Sequence, residues 1–466
     1  MNKIFLAGLI ISLTGCSMIP AYHRPPSPVP SRFPYTGSRT PEENALASDI
    51  GWREFFKDRR LQKLIELALN NNRDLRVALL NVQQVRAQYH IVRYAQLPSF
   101  EVDAAGSRQR ALANGKYARL HTYDANVNTA YELDLFGRVR SLKTQVLEQY
   151  LATQEASRSA QISLVAQVAA QYLIERALDE QLALLLRTME SVQSYYGLID
   201  KSYQLGNSSA LDLRQAQAQV QTVKVALANY ERQRAQARDA LVLLVGEPLP
   251  GDLPAPQPLE RQEFMADLPA GLSSDLLERR PDILEVEHQL KAANANIGAV
   301  RASFFPRITL TGSEGSASVQ LAKLFTSGSQ VWSFSPQISL PLFNQNTNLA
   351  NLDAARVGKR IEIAQYEKTI QVAFKEVSDA ISARDALNDQ ARAQRELVKA
   401  QQERYDLASA RYHDGIDSYL SVLLAQQDLY SSQQNLIQVS LDRLVNLIDL
   451  YKALGGGWQE NTLTIK

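Results

Sequence analysis

The chain has 466 residues, 45% of them hydrophobic, with 50 Lys and Arg against 49 Asp and Glu for a net charge of +1. That balance, with both signs interspersed, supplies neither the basic stripe that nucleic acid requires nor an acidic tail, so nucleic acid is not an expected partner. The one cysteine, Cys16, excludes an internal disulfide framework and any Cys-x-x-Cys metal or redox motif.

Lys3 precedes an apolar run from Ile4 to Leu13. The run is too short to span a bilayer and has the n-region and h-region of a secretory signal, assigned to residues 1–15. A plain signal peptide would make Cys16 incidental. Leu13-Thr14-Gly15-Cys16, however, resembles the lipobox of bacterial lipoproteins, which implies that Cys16 is acylated and becomes the mature N-terminus. Several acyl chains give stable attachment where one is marginal. By the same resemblance, Ser17 in place of Asp implies delivery to the outer membrane. Residues 16–60 are read as a lipidated N-terminal tether and equatorial segment, with Pro20 to Pro41 an extended, Pro- and Ser-rich tether and residues 248–272, with the N- and C-terminal segments, packing around the middle of the helical part.

A first unit is assigned to residues 61–247. Asp74 to Gln96 reads as helix, and a strand-like run follows Pro98 over about 99–108. Gln109 to His121 reads as an exposed loop. In a second strand, about 122–133, Tyr123, Ala125, Val127, Tyr131 and Leu133 alternate with Asp124, Asn126, Asn128, Ala130 and Glu132. Eleven residues of period two is the length of a tilted membrane-spanning strand. From Gly137 to Gly206 there is no proline and one internal glycine, Gly197. Leu178, Leu182, Leu185, Met189, Val192, Tyr196, Ile199 and Tyr203 step by four and three, the seam of a coiled coil. A turn at Gly206 to Leu211 leads to a second helix ending at Val245, with its own seam at Leu213, Ala216, Val220, Val223, Leu227 and Tyr230.

After a Pro-rich linker, residues 248–272, the same series returns over 273–458, leaving a tail at 459–466. Pro98 recurs as Pro306, Leu135-Phe136 as Leu342-Phe343, Tyr203 and Gly206 as Tyr412 and Gly415, and Leu244-Val245-Gly246 as Ala453-Leu454-Gly455. Offsets of 207 to 209 residues indicate duplication of a whole strand-and-helix unit. The second copy predicts helices over Asp282 to Phe304, Asn348 to Tyr412 and Leu420 to Leu454, with strands at about 307–316 and 331–342. Trp332, Phe334, Pro336, Ile338 and Leu340 alternate there with Ser333, Ser335, Gln337 and Ser339.

A soluble hairpin with one face on a core is the alternative to membrane strands. Tyr123, Tyr131 and Trp332 at strand ends, where a barrel carries its aromatic girdle, favour the membrane. Four strands leave open edges that lipid does not tolerate, so several chains must share a barrel: eight strands from two copies, twelve from three. The two long helices reach roughly 100 Å each at 1.5 Å per residue, and the two shorter helices of each copy, end to end, approach that length.

The lipobox, Glu132-Leu133-Asp134-Leu135-Phe136-Gly137-Arg138, Glu278-Arg279-Arg280-Pro281-Asp282-Ile283, Arg301-Ala302-Ser303-Phe304-Phe305-Pro306 and the ending Leu450 to Trp458 together resemble the TolC-like outer membrane factors. Within that family the resemblance is to the OprM-like (NodT-type) efflux lipoproteins, and it covers the mature chain. It implies an α+β membrane protein: a homotrimer with a twelve-stranded transmembrane β-barrel, four strands per chain, on a long α-helical periplasmic tunnel. It also implies an exit duct for drugs or other small toxic compounds, with a periplasmic adaptor and an inner-membrane RND-type pump as partners and outer membrane lipid around the barrel. Alternatives are a duct for type I protein secretion or metal-ion efflux, or a non-channel coiled-coil lipoprotein.

The resemblance places the turns at Gly206 and Gly415 at the periplasmic tip, where the duct must close. Family members often carry acidic residues just after the second turn; the matching positions here are Ser421 and Leu424. Nearby remain Asp212 and Gln215 in the first copy, Asp417 in the second turn, and Leu420 with Leu424. The leucines are read either as a hydrophobic constriction or as coiled-coil packing, and Asp212 either as part of the gate or as a helix-start residue favoured by the dipole. Catalysis, cofactor and metal find no support. His23, His90, His121, His288 and His413 share no ligand spacing and read as surface residues, and Gly455-Gly456-Gly457 follows a helix, as a stop.

Overall fold

The computed structural model describes residues 17–31, 33–34, 47–113, 116–265, 268, 279–343 and 345–462. Cys16, the signal segment and Glu278 lie outside the described residues. The elements run in chain order as α1 (Trp52–Phe55), α2 (Arg59–Asn71), α3 (Arg73–Tyr94), β1 (Ser99–Ala113), β2 (Lys116–Leu133), α4 (Arg138–Gln204), α5 (Ala210–Val245), α6 (Pro281–Ala302), β3 (Arg307–Ser318), β4 (Gln330–Ser339), α7 (Gln345–His413) and α8 (Tyr419–Ala453). Two compact units divide them.

The first unit gathers Leu80–Glu155, Leu284–Lys368 and the N-terminal stretch to Pro26. Its sheet is antiparallel throughout, in the order β1-β2-β3-β4. The register puts Phe100 and Val102 opposite Thr129 and Val127, Tyr131 and Leu133 opposite Leu310 and Ile308, and Gly312 and Ile308 opposite Phe334 and Ile338. Most of the large apolar residues of the four strands therefore share one face, which also carries Glu314, and Asp103, Asn126, Asn128, Thr311 and Ser335 share the other with Val331. Both hairpin connections lie at one end of the sheet and the helices join at the opposite end.

Strand extents differ from the expected ones. β1 and β2 continue past Arg108 and begin before Thr122, pairing as far as Ala113 with Lys116, where an exposed loop was expected. Beyond Arg108 one face mixes Arg110, Arg119 and His121 with Leu112 and Tyr117, and the other carries Ala111 and Leu120, so apolar side chains are not confined to one face and no alternation of hydrophobicity marks the ladder, which the backbone does not need. β3 runs two residues beyond 316, and β4 stops at Ser339, short of 342.

The motif from Glu132 to Arg138 builds the strand-to-helix junction. Glu132 takes two hydrogen bonds from Arg138, each 2.8 Å, and an ion pair from Arg307 of β3 at 2.6 Å. Asp134 accepts the backbone N–H groups of Val139 and Arg140 at the free N-terminus of α4. Phe136 of the first copy stacks on Phe305 of the second with ring centroids 4.7 Å apart, so the two copies meet at this junction.

Residues 17–26, which include the start of the stretch expected to be an extended tether from Pro20 onward, are a strap bound to α6. Asn294 of α6 donates to the Pro20 carbonyl (2.8 Å), and Glu287 accepts from Tyr22 (3.2 Å) and Arg24 (2.5 Å). A Cβ on Gly298 would sit 2.6 Å from Ile19, so the strap requires glycine there. His288, expected on the surface, is half-buried with Nδ1 2.6 Å from Glu148 on α4.

The second unit gathers Ser27–Leu79, Ala156–Ile283 and Thr369–Lys466. Its core joins Trp52, Phe55, Phe56, Leu61, Leu64 and Ile65 to Tyr172, Leu241, Val245, Leu259, Ile448 and Tyr451. Phe55 stacks on Tyr451 at 4.0 Å. Buried Asp58 accepts from the Arg60 N–H (2.7 Å), the Tyr172 hydroxyl (2.7 Å) and Gln262 (2.9 Å), tying α2, α4 and the inter-repeat linker together. In the α4 seam Leu185, Met189 and Val192 pack against Val220 and Val223 of α5, while Tyr203 is exposed.

Candidate functional site

The two helix-to-helix turns of the second unit are built alike. Gly206 and Gly415 adopt φ of 76° and 72°, the left-handed region open to glycine. In the first turn the Gly206 N–H bonds to Tyr203 O (3.0 Å) and Asn207 N–H to Ser202 O (2.9 Å); in the second, Gly415 bonds to Tyr412 (3.0 Å) and Ile416 to Arg411 (2.9 Å). Both are Schellman stops, which satisfy the last carbonyls of α4 and α7.

The starts of the returning helices differ. Ser209 caps α5 by accepting from the Asp212 N–H, while the Asp212 carboxylate accepts from the Ser209 N–H (3.2 Å) and hydroxyl (2.6 Å), a reciprocal capping box. At α8 the same positions are Ser418 and Ser421, and Ser418 makes no side-chain cap bond. Asp417 instead closes its turn through Arg411, at 2.6 and 3.1 Å. That hydrogen bond and charge hold the Asp417 carboxyl below its usual range. Asp212 and Asp417 thus both have partners within the chain.

Beneath the turns, Tyr195, Ile199, Ala216, Tyr419, Val422 and Leu423 form a core flanked by Tyr405, Ala408 and Tyr412. Tyr195 shares a hydrogen bond with Ser409, and Ser191 bonds both Tyr405 (3.0 Å) and Gln426 (2.9 Å). Burial pushes the Tyr419 hydroxyl up to about 12. Steps of three and four at Tyr405, Ala408 and Tyr412, with Ile199 and Ala216 in the α4 and α5 seams, point to this cluster from the sequence, whereas the periodicity marks neither Tyr195 and Tyr419 nor the Arg411–Asp417 pair. Leu420 and Leu424 lie on the other side of α8, each 46% exposed, so neither belongs to the chain's own packing seam. Gln215 and Ser421 are half-buried.

The sheet is the second functional element. β1 and β4 are its edges, and every residue of β4 is exposed. Val102 (78%) and Trp332 (76%) leave the apolar face bare. Among the described residues no group of three or more His, Cys, Asp or Glu is placed to hold a metal, and no helix is long and apolar enough to cross a membrane.

The model of the outer membrane efflux protein family matches residues 64–247 and 272–456, once for each copy of the repeat. The chain belongs to the outer membrane efflux protein family. It is 47% identical over 468 residues to the antibiotic efflux pump outer membrane protein ArpC of Pseudomonas putida, covering 99% of this chain and 96% of that protein. The toluene efflux pump outer membrane protein TtgC of the same species matches at the same identity and coverage. Among solved structures, the open state of the MtrE outer membrane channel of Neisseria gonorrhoeae superposes with a TM-score of 0.88 at 42% identity, over 96% of this chain and all of that one. The fold is that of the TolC-like channels, with long helices and four strands per chain. Like other efflux proteins of this family, the chain is an outer membrane channel component.

Proposed function

We propose that three copies of this chain form a passive outer membrane duct that exports antibiotics, solvents and similar small toxic compounds. The observation that carries this reading is a four-stranded sheet with one predominantly apolar face and two unpaired edges. Such a sheet is stable in lipid only when closed, and three copies supply the twelve strands. The substrate class rests on the relatives named for antibiotic and toluene efflux. A periplasmic adaptor and an inner-membrane RND-type pump dock at the end bearing Gly206 and Gly415, and Cys16 carries the lipid anchor. Leu420 and Leu424, exposed on the single chain, narrow the closed mouth once three copies meet.

Conductance in planar bilayers and drug and toluene sensitivity on deletion test the duct. A protein inert in both assays would sink it. Metabolic labelling with palmitate should mark the wild type and not Cys16→Ser.

A further inference from the structure

We infer that the outward face of the first hairpin, beyond the membrane-spanning part of β1 and β2, is a docking surface for the phosphate groups of an outer-leaflet glycolipid. The inference rests on the sheet being part of an outer membrane barrel. Along the apolar face, Phe100, Val102, Ala104 and Gly106 of β1 face Thr129, Val127, Ala125 and Tyr123 of β2. Two residues further, still on that face, Arg108 stands opposite His121, and two further Arg110 stands opposite Arg119. Strand rise places this band about 7 to 14 Å past the Gly106–Tyr123 pair, the depth at which the hydrocarbon gives way to headgroups.

Cations directly opposite one another across a ladder repel and weaken the pairing. From Ala104 to Tyr123 the sequence holds no Asp or Glu, and among the described residues no carboxylate pairs with Arg108, Arg110 or Arg119. Lys323, in the neighbouring β3–β4 connection, adds to the positive charge, and that connection, 319–329, also lacks an acidic residue. Arg108, Arg110 and Arg119 are exposed. The Arg110 guanidinium lies 4.6 Å from the Tyr117 ring centroid, which fixes it on this face beside Leu112 and Tyr117, both exposed. Guanidinium forks in a row, bordered by apolar side chains, match a ligand that carries phosphates on an acylated sugar. The strand ends attached to the helices are the periplasmic ones in the barrel reading, so this band lies in the outer leaflet.

The test uses purified full-length protein in detergent with lipid A as the probe, in bisphosphorylated and enzymatically dephosphorylated forms, read by native mass spectrometry and by fluorescence titration. The wild type should bind the phosphorylated form and lose it with added salt. The triple variant Arg108→Gln/Arg110→Gln/Arg119→Gln should bind roughly 100-fold more weakly, at about a factor of five per charge removed. The triple Arg→Lys variant, which keeps the charge, should retain most of the binding and controls for misfolding. Equal binding by the Gln variant, or equal binding of the dephosphorylated lipid, would overturn the inference. The Gln variant should still conduct in planar bilayers. If the wild type itself fails to conduct, the barrel reading falls and this inference with it, whereas a conducting wild type that ignores phosphate overturns the inference alone.

Discussion

Asp417 pairs with Arg411 across the second turn, and neither group is buried, so the bond acts as a latch on local geometry and not as a source of global stability. The Asp417 carboxyl is held below its ordinary value of 3.8, so the bond is intact above that pH and is lost as pH falls through the lower, folded value. Channel opening in planar bilayers should therefore rise for the wild type as the pH drops below about 4, and Asp417→Asn should be open more often at neutral pH and insensitive to acid. A wild-type response identical to that of Asp417→Asn would remove the latch from gating. Leu420 and Leu424 make a separate prediction. Replacing both by Ser removes little packing within the chain, since each is half exposed, yet should raise basal conductance if they constrict the mouth. Unchanged closed-state conductance would count against that role. The glycines of both turns were legible from their 209-residue offset, because a left-handed residue leaves a mark in composition. The latch was not, because an Arg–Asp pair six residues apart looks like any other surface charge pattern until the turn between them is formed.

At the scale of elements, two glycines with nearly the same backbone angle separate local from tertiary demands. Gly206 (φ 76°) has no atom within 4 Å of an added Cβ, whereas Gly246 (φ 82°), which ends α5, would place that Cβ 2.4 Å from the Asn71 carbonyl oxygen. Gly206→Ala should cost about 1–2 kcal/mol, the left-handed penalty alone. Gly246→Ala adds a backbone clash of about 1–3 kcal/mol and should lower the denaturation midpoint of the trimer visibly more. Equal midpoints would show that α2 and α5 separate easily. The helices were readable because their seams and stops repeat: Gly137 to Gly206 became Arg138–Gln204. The strands were readable only where one face was apolar. Past Arg108 the alternation disappears although the ladder continues to Ala113, so the length of the hairpin and the basic face it carries emerged only with the register.

For the whole molecule, the decisive asymmetry is between the faces of the sheet, since side chains one position apart point into lipid or into the lumen. Leu310 shares the apolar face with Tyr131 and Pro336, and Thr311 shares the polar face with Ala130 and Ser335. Leu310→Arg puts a charge in the lipid region at about 2–4 kcal/mol per chain, counted three times in a trimer. Thr311→Arg puts the same charge one residue on, into the water-filled interior, at little cost. The first variant should lose the trimer of 52.0 kDa chains on unheated gels, while the second should assemble and shift reversal potentials in a salt gradient towards anions. Two variants that assemble equally well would mean that the apolar face does not meet lipid, and two that both fail would mean that both faces are packed. Either result would remove the shared barrel, because only a closed sheet with one greasy and one wet face separates adjacent residues so sharply. The same reasoning explains why the duplication matters: each copy contributes one hairpin, β2 and β3 join the two into a single sheet, and β1 and β4 remain as the edges that another chain must complete.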